Sequence, residues 1–353
     1  MKNISELIIS LSKKQARLTT KDVVEAFPET NRPSRQYVNK IIADLVKQKK
    51  LVKGGSTRGA FYVEPKNEHL ATALTKVHLR LDNKDLKEHE VLDNIRLRAL
   101  FFPSIKKNVQ DIFNFGFSEM LNNAIDHSDS KFIEVDVYKD KQNLMFVVSD
   151  TGIGAFRSIR DKKKLDSELS AIQDLLKGKT TTMPQAHSGE GIFFTSKMAD
   201  LFRLESFEYR LRIDNKVKDV FVEILKPSKK GTRVIFQIAL NSKRHTTDIF
   251  QKYVSNPDTL AFDKTDVQIK LYTMGTIHVS RSQARRVLSG LDKFKTIVLD
   301  FDQVPTIGQG FADEIFRVFG GRHPEITIKT TNANEAVQFM IDRVEKPQAS
   351  LDV

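Results

Sequence analysis

The sequence predicts an α/β protein built from several domains, and three observations carry that expectation. At 353 residues with 40% hydrophobic content, the chain has material for two or three ordinary cores and far too much order-promoting composition for a disordered polypeptide. Apolar residues recur at helical spacing in some stretches and alternate at strand spacing in others. Cysteine is absent, which excludes a disulfide scaffold, cysteine-based zinc ribbons, iron–sulfur clusters and thiol nucleophiles, and fits a reducing cytoplasmic setting. Lys and Arg number 57 against 45 Asp and Glu, and the net charge of +12 favours polyanionic partners such as nucleic acid or nucleotide phosphates. No apolar run reaches the roughly 18 to 20 residues of a membrane helix, and Met1 to Glu6 do not lead into a signal-peptide core, so a soluble cytoplasmic protein with no membrane partner is expected.

Residues 1–65 read as one small unit. Ile4, Leu7, Ile8 and Leu11 recur at helical spacing, and Thr19-Thr20-Lys21-Asp22 offers an N-cap for a second helix. A third helix starts near Pro33-Ser34-Arg35 and places Tyr37, Val38, Ile41, Ile42, Leu45 and Val46 on one face. Leu51-Val52-Lys53 and Ala60-Phe61-Tyr62-Val63 alternate like two short strands around a glycine-rich tip that contains Arg58. Three helices followed by a basic hairpin resemble a winged helix-turn-helix. Lys and Arg outnumber Asp and Glu about twofold here, so Arg35, Lys40 and Arg58 are candidate contacts to DNA phosphates. Winged helices also serve as protein-protein modules, and that alternative stays open.

Residues 66–104 are highly charged. Leu70, Leu74, Val77 and Leu81 fall at helical spacing, which suggests a helical connector. The stretch Ile112 to His127 then reads as one amphipathic helix. Glu119 and Asn123, one turn apart, project from one face and pair a carboxylate with an amide, a combination suited to orienting water and ligating Mg²⁺ but also common as a solvated pair. Ile133 to Tyr138 alternates as a strand, and Leu144 to Ser149 is a buried strand that ends at Asp150-Thr151-Gly152-Ile153-Gly154. A carboxylate at a strand end can accept a hydrogen bond from an exocyclic amine, and glycines let the backbone approach a planar base; an ordinary Asp-Gly turn is the plain alternative. A polar segment from about 155 to 188 leads to Gly189-Glu190-Gly191, which opens an apolar helix whose free amides suit phosphates. Gly231-Thr232 then enters a further strand.

In their order, Glu119-x-x-x-Asn123-Ala124, Asp150-x-Gly152-x-Gly154, Gly189-x-Gly191 and Gly231-Thr232 resemble the four boxes of the GHKL ATP-binding family, which includes gyrase, heat-shock chaperones and sensor histidine kinases. The resemblance covers residues 105–240. It implies a Bergerat-type α/β sandwich, with helices on one face of a mixed sheet and ATP held between helices and a movable lid. By the same resemblance Asn123 would hold Mg²⁺ with Asp126 nearby, Asp150 would bind the adenine amine, and Gly152, Gly154, Gly189 and Gly191 would shape the pocket. Thr232 would assist at the adenine, residues 155–188 would form the lid with Lys179 as a phosphate contact, and Glu119 would be the catalytic base of an ATPase or serine kinase. The segment Glu119 to His127 is especially similar to the anti-sigma-factor kinases. Ile192-Phe193-Phe194 departs from the Leu-Gly-Leu usual in histidine kinases, a departure that bears on the lid-side phosphate geometry; His89 lacks the following proline of a phosphoacceptor motif, so a histidine kinase is not expected.

After a connecting segment at 241–275, residues 276–345 return to βα alternation, ahead of a short tail at 346–353. Val279 to Leu288 is an N-capped helix, Thr296 to Phe301 a strand, Val304 to Gly310 a turn, and Phe311 to Phe319 a helix that Gly320-Gly321 would stop before a strand at Glu325 to Ile328. The run looks like a STAS-like domain, the fold of anti-sigma-factor antagonists. Gly308, Gln309 and Gly310 stand where phosphorylated antagonists carry serines, leaving Thr306 as the nearest hydroxyl, and Asp313 and Glu314 read as an exposed helix start. The expected function is therefore an ATP-binding, nucleotide-gated transcriptional or signalling regulator. It would have DNA as a partner of residues 1–65 and a protein partner of the STAS-like unit, with oligomerisation possible. An ATPase or Ser/Thr protein kinase is the alternative.

Overall fold

The computed structural model describes residues 4–15, 17–54, 60–67, 76–99, 101–179, 189–255, 261–272 and 278–345. Helices α1 (Ile4–Lys14), α2 (Thr20–Glu25) and α3 (Arg35–Lys47) begin the chain. A capping box starts α2: the Thr19 hydroxyl accepts from the Asp22 N–H at 3.2 Å, and Asp22 accepts from the Thr19 N–H at 2.7 Å. Ser34 caps α3 by accepting from the Tyr37 N–H at 3.2 Å. Strands β1 (Val52–Gly54) and β2 (Phe61–Val63) pair antiparallel, and Leu18 exchanges two backbone hydrogen bonds with Tyr62 at 2.9 and 2.8 Å. Ile8, Leu18, Val23, Val38, Ile42, Leu45, Leu51 and Tyr62 form a core of their own. Tyr37, expected on the apolar face of α3, is instead 53% exposed. The buried stripe runs Val38, Ile42, Leu45, and a residue one place before Val38 is turned about 100° away from it.

Residues 76–82 form a strand, β3 (Lys76–Asp82), where a helical connector was expected; Leu70 and Leu74 of that expectation lie outside the described residues. Val77 and Leu81 lie four apart, an even step that satisfies both the helical and the strand period. Leu79 between them, buried while His78 and Arg80 are exposed, decides for the strand. After α4 (Glu88–Arg98) comes the 21-residue helix α5 (Lys107–His127), then β4 (Phe132–Lys139) and β5 (Asn143–Asp150). The lid loop expected at 155–188 holds two helices, α6 (Ala155–Lys163) and α7 (Glu168–Lys177), and its residues 180–188 lie outside the described residues. Its polar composition hides two short apolar faces, Phe156 with Ile159 and Ala171 with Ile172 and Leu175. Ser167 caps α7 by accepting from the Ser170 N–H at 3.1 Å. Helix α8 (Gly191–Met198) and the long hairpin β6 (Leu201–Asp214) and β7 (Asp219–Ala239) complete this region.

The five strands run β3-β4-β5-β7-β6, and every neighbouring pair is antiparallel, so the sheet is not the mixed one expected. Its buried face is aromatic. Phe113 and Phe117 of α5 stack at 5.8 Å, each meets Phe146 of β5 edge-on at 5.5 Å, and Phe146 stacks on Phe236 of β7 at 4.8 Å. Each such ring contributes about 2 to 3 kcal/mol by burial. The packing clamps α5 onto the middle of the sheet and thereby fixes where its C-terminal turns lie relative to the end of β5. The other face mixes polar residues with Met145, Val147 and Ile235; Asp136 there takes Lys76 and His78 from the neighbouring strand, both at 2.9 Å.

Beyond α9 (Thr246–Lys252), strand β8 (Lys264–Gln268) arises inside the expected connecting segment. It pairs in parallel with β9 (Thr296–Asp300), which pairs in parallel with β10 (Thr327–Thr331). Helix α10 (Arg281–Leu288) has a capping box between Ser280 and Gln283. Between β9 and β10 a helical run, α11, passes through Gln309–Ala312, a π-helix Asp313–Phe319 and Gly320–Arg322; Gly320 and Gly321 thus continue the helix they were expected to stop, because His323 is the first residue to leave helical angles. Asp313 and Glu314 are not an exposed helix start either. Glu314 is buried against Arg285 at 2.7 Å, and Asp313 is held by Arg281 at 2.9 Å. Helix α12 (Glu335–Glu345) packs last. One continuous cluster of buried side chains runs from Val77 to Ile341, so the sheet of five and the sheet of three share a core. Among the described residues, no helix is long and apolar enough to cross a membrane.

Candidate functional site

A cleft of about 300 Å³ opens beside the C-terminal turns of α5. Glu119, Met120, Asn122, Asn123, Ala124, His127 and Ser128 form one wall, because residues three and four apart on a helix share a face. Opposite them stand Val148 and Asp150 of β5, Thr232 and Val234 of β7, Ala155, Ser158 and Ile159 of α6, Leu175 of α7, and Gly189, Gly191, Ile192 and Phe193 at the start of α8. The site is mostly apolar, with a few polar groups set into it, which is the usual make-up of a small-molecule pocket.

Asp150 is the most constrained of those groups. It is 5% exposed, and its Oδ1 accepts hydrogen bonds from the Gly152 N–H at 2.9 Å and the Thr232 N–H at 3.2 Å. Burial pushes its carboxyl above the ordinary range; the two N–H groups and the charge of Lys229 oppose that push without cancelling it. The Thr232 hydroxyl in turn accepts from the Ala155 N–H at 2.9 Å, so one threonine ties β7 to both Asp150 and the first turn of α6. Asn123 faces the same cleft from α5. Its amide nitrogen is buried and makes no hydrogen bond to the described protein, and the same holds for the Ser158 hydroxyl. A buried amide left without a partner is costly unless something else satisfies it.

The glycines act mainly by letting backbone approach backbone. A Cβ on Gly152 would land on the Ser128 carbonyl, and one on Gly231, whose φ is +78°, would land on the Asp150 carbonyl. Gly154 has φ +84°, and a Cβ there would come within 2.6 Å of the Phe207 ring and the Ser206 hydroxyl. Neither Gly152 nor Gly154 lines the cleft; both position Asp150 and α6 from behind. Gly191 does line it, and a side chain there would collide with the Glu119 carboxylate, so that acid sits directly against the start of α8.

Two expected residues lie elsewhere. Asp126 is exposed and outside the cleft lining, one position round the helix from the wall. Lys179 turns to the C-terminal unit and lies outside the cleft lining: its Nζ donates to the Lys293 carbonyl at 3.1 Å and sits 4.9 Å over the Phe294 ring. Sequence reasoning passed over Asn122, His127, Ser128, Ser158, Leu175 and Phe193. His127 was legible, one helical turn beyond Asn123, whereas Leu175 and Phe193 carry only the signature of core residues. In the N-terminal unit, Arg35 and Lys40 are exposed on α3 beside Tyr37, and Arg58 lies outside the described residues.

Residues 283–338, from α10 into α12, match the family described as a STAS-like domain of unknown function (DUF4325). The C-terminal unit is therefore STAS-like, a fold class that includes protein-interaction modules. No curated protein matches the chain significantly.

Proposed function

We propose that the central cleft binds ATP with Mg²⁺ and that the protein is a nucleotide-gated regulator. Its N-terminal unit would engage DNA as a winged helix and its STAS-like unit a protein partner. The observation that carries the reading is the pairing, across one cleft, of a buried carboxylate with one oxygen pinned by backbone N–H groups and a side-chain amide whose buried nitrogen lacks a partner. The second oxygen of Asp150 is suited to an exocyclic amine, and the GHKL-like order of the motifs supports the same assignment. Asn123 fits a metal that arrives with phosphates: among the described residues no group of three or more His, Cys, Asp or Glu comes together to hold an ion, and Mg²⁺ ordinarily takes one or two protein ligands beside phosphate oxygens and water. The amide's oxygen and nitrogen exchange by a simple flip, which would turn the oxygen inward.

Melting of the full chain tests this. Mg·ATP at about 100 times its Kd is expected to stabilise the wild type by about 2.7 kcal/mol, and Asn123→Ala is expected to lose that gain. An unchanged melting temperature of the wild type at millimolar Mg·ATP would sink the proposal. Glu119, in the same cleft and against the α8 start, favours turnover as a second reading, either ATP hydrolysis or transfer to a protein hydroxyl. Under it, Glu119→Gln keeps the thermal stabilisation and stops phosphate release; no release from the wild type, with no labelled partner, would leave gating alone.

The DNA-binding part rests on the exposed Arg35 and Lys40 of α3 and on the basic balance of residues 1–65. Replacing both with alanine is expected to lower the slope of log K against log salt by about 2 units, if each neutralises one phosphate. Equal slopes for variant and wild type would remove α3 from the interface.

A further inference from the structure

Helices α7 and α8, which line the cleft, also form part of the seam with the STAS-like unit, and directed hydrogen bonds cross it beside the apolar packing. From α7, the Gln173 side chain donates to the Leu271 carbonyl at 2.7 Å, and the Tyr272 hydroxyl donates back to the Gln173 carbonyl at 3.1 Å. The Thr265 hydroxyl of β8 donates to the Lys177 carbonyl at 2.6 Å. Lys177 itself is 4% exposed, and its Nζ donates to the carbonyls of Arg286 and Ser289 at 3.0 and 2.8 Å, which places a cationic group at the C-terminus of α10, where the helix dipole favours one. Two residues back, Leu175 lines the cleft.

A second path runs through rings. Phe193, which lines the cleft at the start of α8, packs on Phe262 at 4.8 Å, and Phe262 packs on Phe294, between α10 and β9, at 5.3 Å. Gly178, the residue after α7, is wedged between them. Its φ is +84°, and a Cβ there would come within 2.7 Å of the Phe262 ring and 3.0 Å of the Phe193 ring. The cleft wall and the STAS-like unit are thus close-packed through a short, stiff chain of side chains, and a dense interior transmits displacement instead of absorbing it.

We propose that α7, with Lys177 as its anchor, relays occupancy of the cleft to the α10 end of the STAS-like unit. The inference rests on the nucleotide reading above and names its regulatory output. A ligand that moves Leu175 and Phe193 outward or inward shifts α7, and α7 cannot shift without pulling on two carbonyls of α10 and one hydroxyl of β8. Lys177 is a positioning residue in this scheme, since it does not line the cleft.

Hydrogen exchange on the full-length chain, with and without Mg²⁺ and a nonhydrolysable ATP analogue, tests the relay. In the wild type the analogue is expected to change exchange at least threefold both in the cleft segments 119–128 and 148–154 and in the remote segments 264–272 and 285–295. In Lys177→Met the cleft protection persists and the remote response vanishes. Thr265→Val, which removes only the hydroxyl bound to the Lys177 carbonyl, is expected to halve the remote response and carries the test should the first variant not fold. Protection confined to the cleft in the wild type overturns the relay and leaves ATP binding standing, as does a remote response undiminished in both variants. No change in any segment of the wild type overturns the nucleotide reading and the relay with it.

Discussion

Asp150→Asn is expected to weaken Mg·ATP binding about 100-fold, or about 2.7 kcal/mol, and to invert the preference between adenine and a base that carries a carbonyl at the same position. The geometry forces this outcome. Oδ1 of Asp150 accepts from two backbone N–H groups, at 2.9 and 3.2 Å, so the isosteric amide must leave its oxygen there and turn its NH₂ toward the ligand. A donor then faces the adenine amine, another donor, while the carbonyl of inosine triphosphate meets a matching partner. The variant is expected to bind inosine triphosphate more tightly than ATP, read by competitive displacement of a fluorescent nucleotide. Its fold is not expected to suffer, because burial already disfavours the charged form of this carboxyl and a neutral isostere relieves that cost. Binding of Mg·ATP within threefold of the wild type would remove Asp150 from base recognition.

The parts of this protein that were legible in its sequence are those in which a single local rule acts. Ser34, Thr19 and Ser280 start helices because a hydroxyl before an amphipathic stretch can satisfy an orphan N–H, and all three do so. Glu119 and Asn123 share a face because helical geometry requires it, and both line the cleft with Asp150, Gly189, Gly191 and Thr232. What was not legible depends on tertiary partners. The step from Val77 to Leu81 in the strand Lys76–Asp82 fits two periods, and although Leu79 between them already alternates at strand spacing, it is pairing with β4 that holds the segment extended. Helices α6 and α7 are rich in charge because each buries one narrow face, and Lys177 looks like any surface lysine until the α10 carbonyls are in place. Lys179 is a phosphate contact only by the family resemblance that makes 155–188 a lid, and here the Lys293 carbonyl and the Phe294 ring hold it.

The departure at Ile192-Phe193-Phe194 belongs to the same class. In isolation the two phenylalanines only weaken a motif. In the fold they join Phe250, Tyr253 and Phe262 in one aromatic cluster, with Phe194 4.6 Å from Phe250 and 4.9 Å from Phe262. Small residues at the start of α8 would leave that junction empty, so the two phenylalanines serve to pack α9 and Phe262 against the cleft wall.

Gly152→Ala is expected to cost at least about 3 kcal/mol and to abolish nucleotide binding, although the residue does not touch the cleft. Its backbone does not need the left-handed region; the cost is steric, since the new methyl group would occupy the place of the Ser128 carbonyl. That carbonyl cannot yield cheaply. It accepts the Ile153 N–H at 2.8 Å, the Ser128 N–H closes the last turn of α5 on Ala124, and the Ser128 hydroxyl accepts the Ser130 N–H at 3.1 Å. The Ser130 hydroxyl accepts the Thr151 N–H at 3.2 Å, so the strand end and the helix end are bolted together on both sides of Gly152. Separating them moves Asp150 away from Asn123, and the cleft loses the juxtaposition on which binding depends. The same exchange at Gly321, whose added Cβ meets nothing within 4 Å and which lies in a helix, is expected to be neutral or to stabilise by about 0.5 to 1 kcal/mol. Urea unfolding of both variants, compared at constant m, separates the two outcomes, and a Gly152→Ala midpoint equal to that of the wild type would show that the loop after Asp150 is not what sets the carboxylate in place.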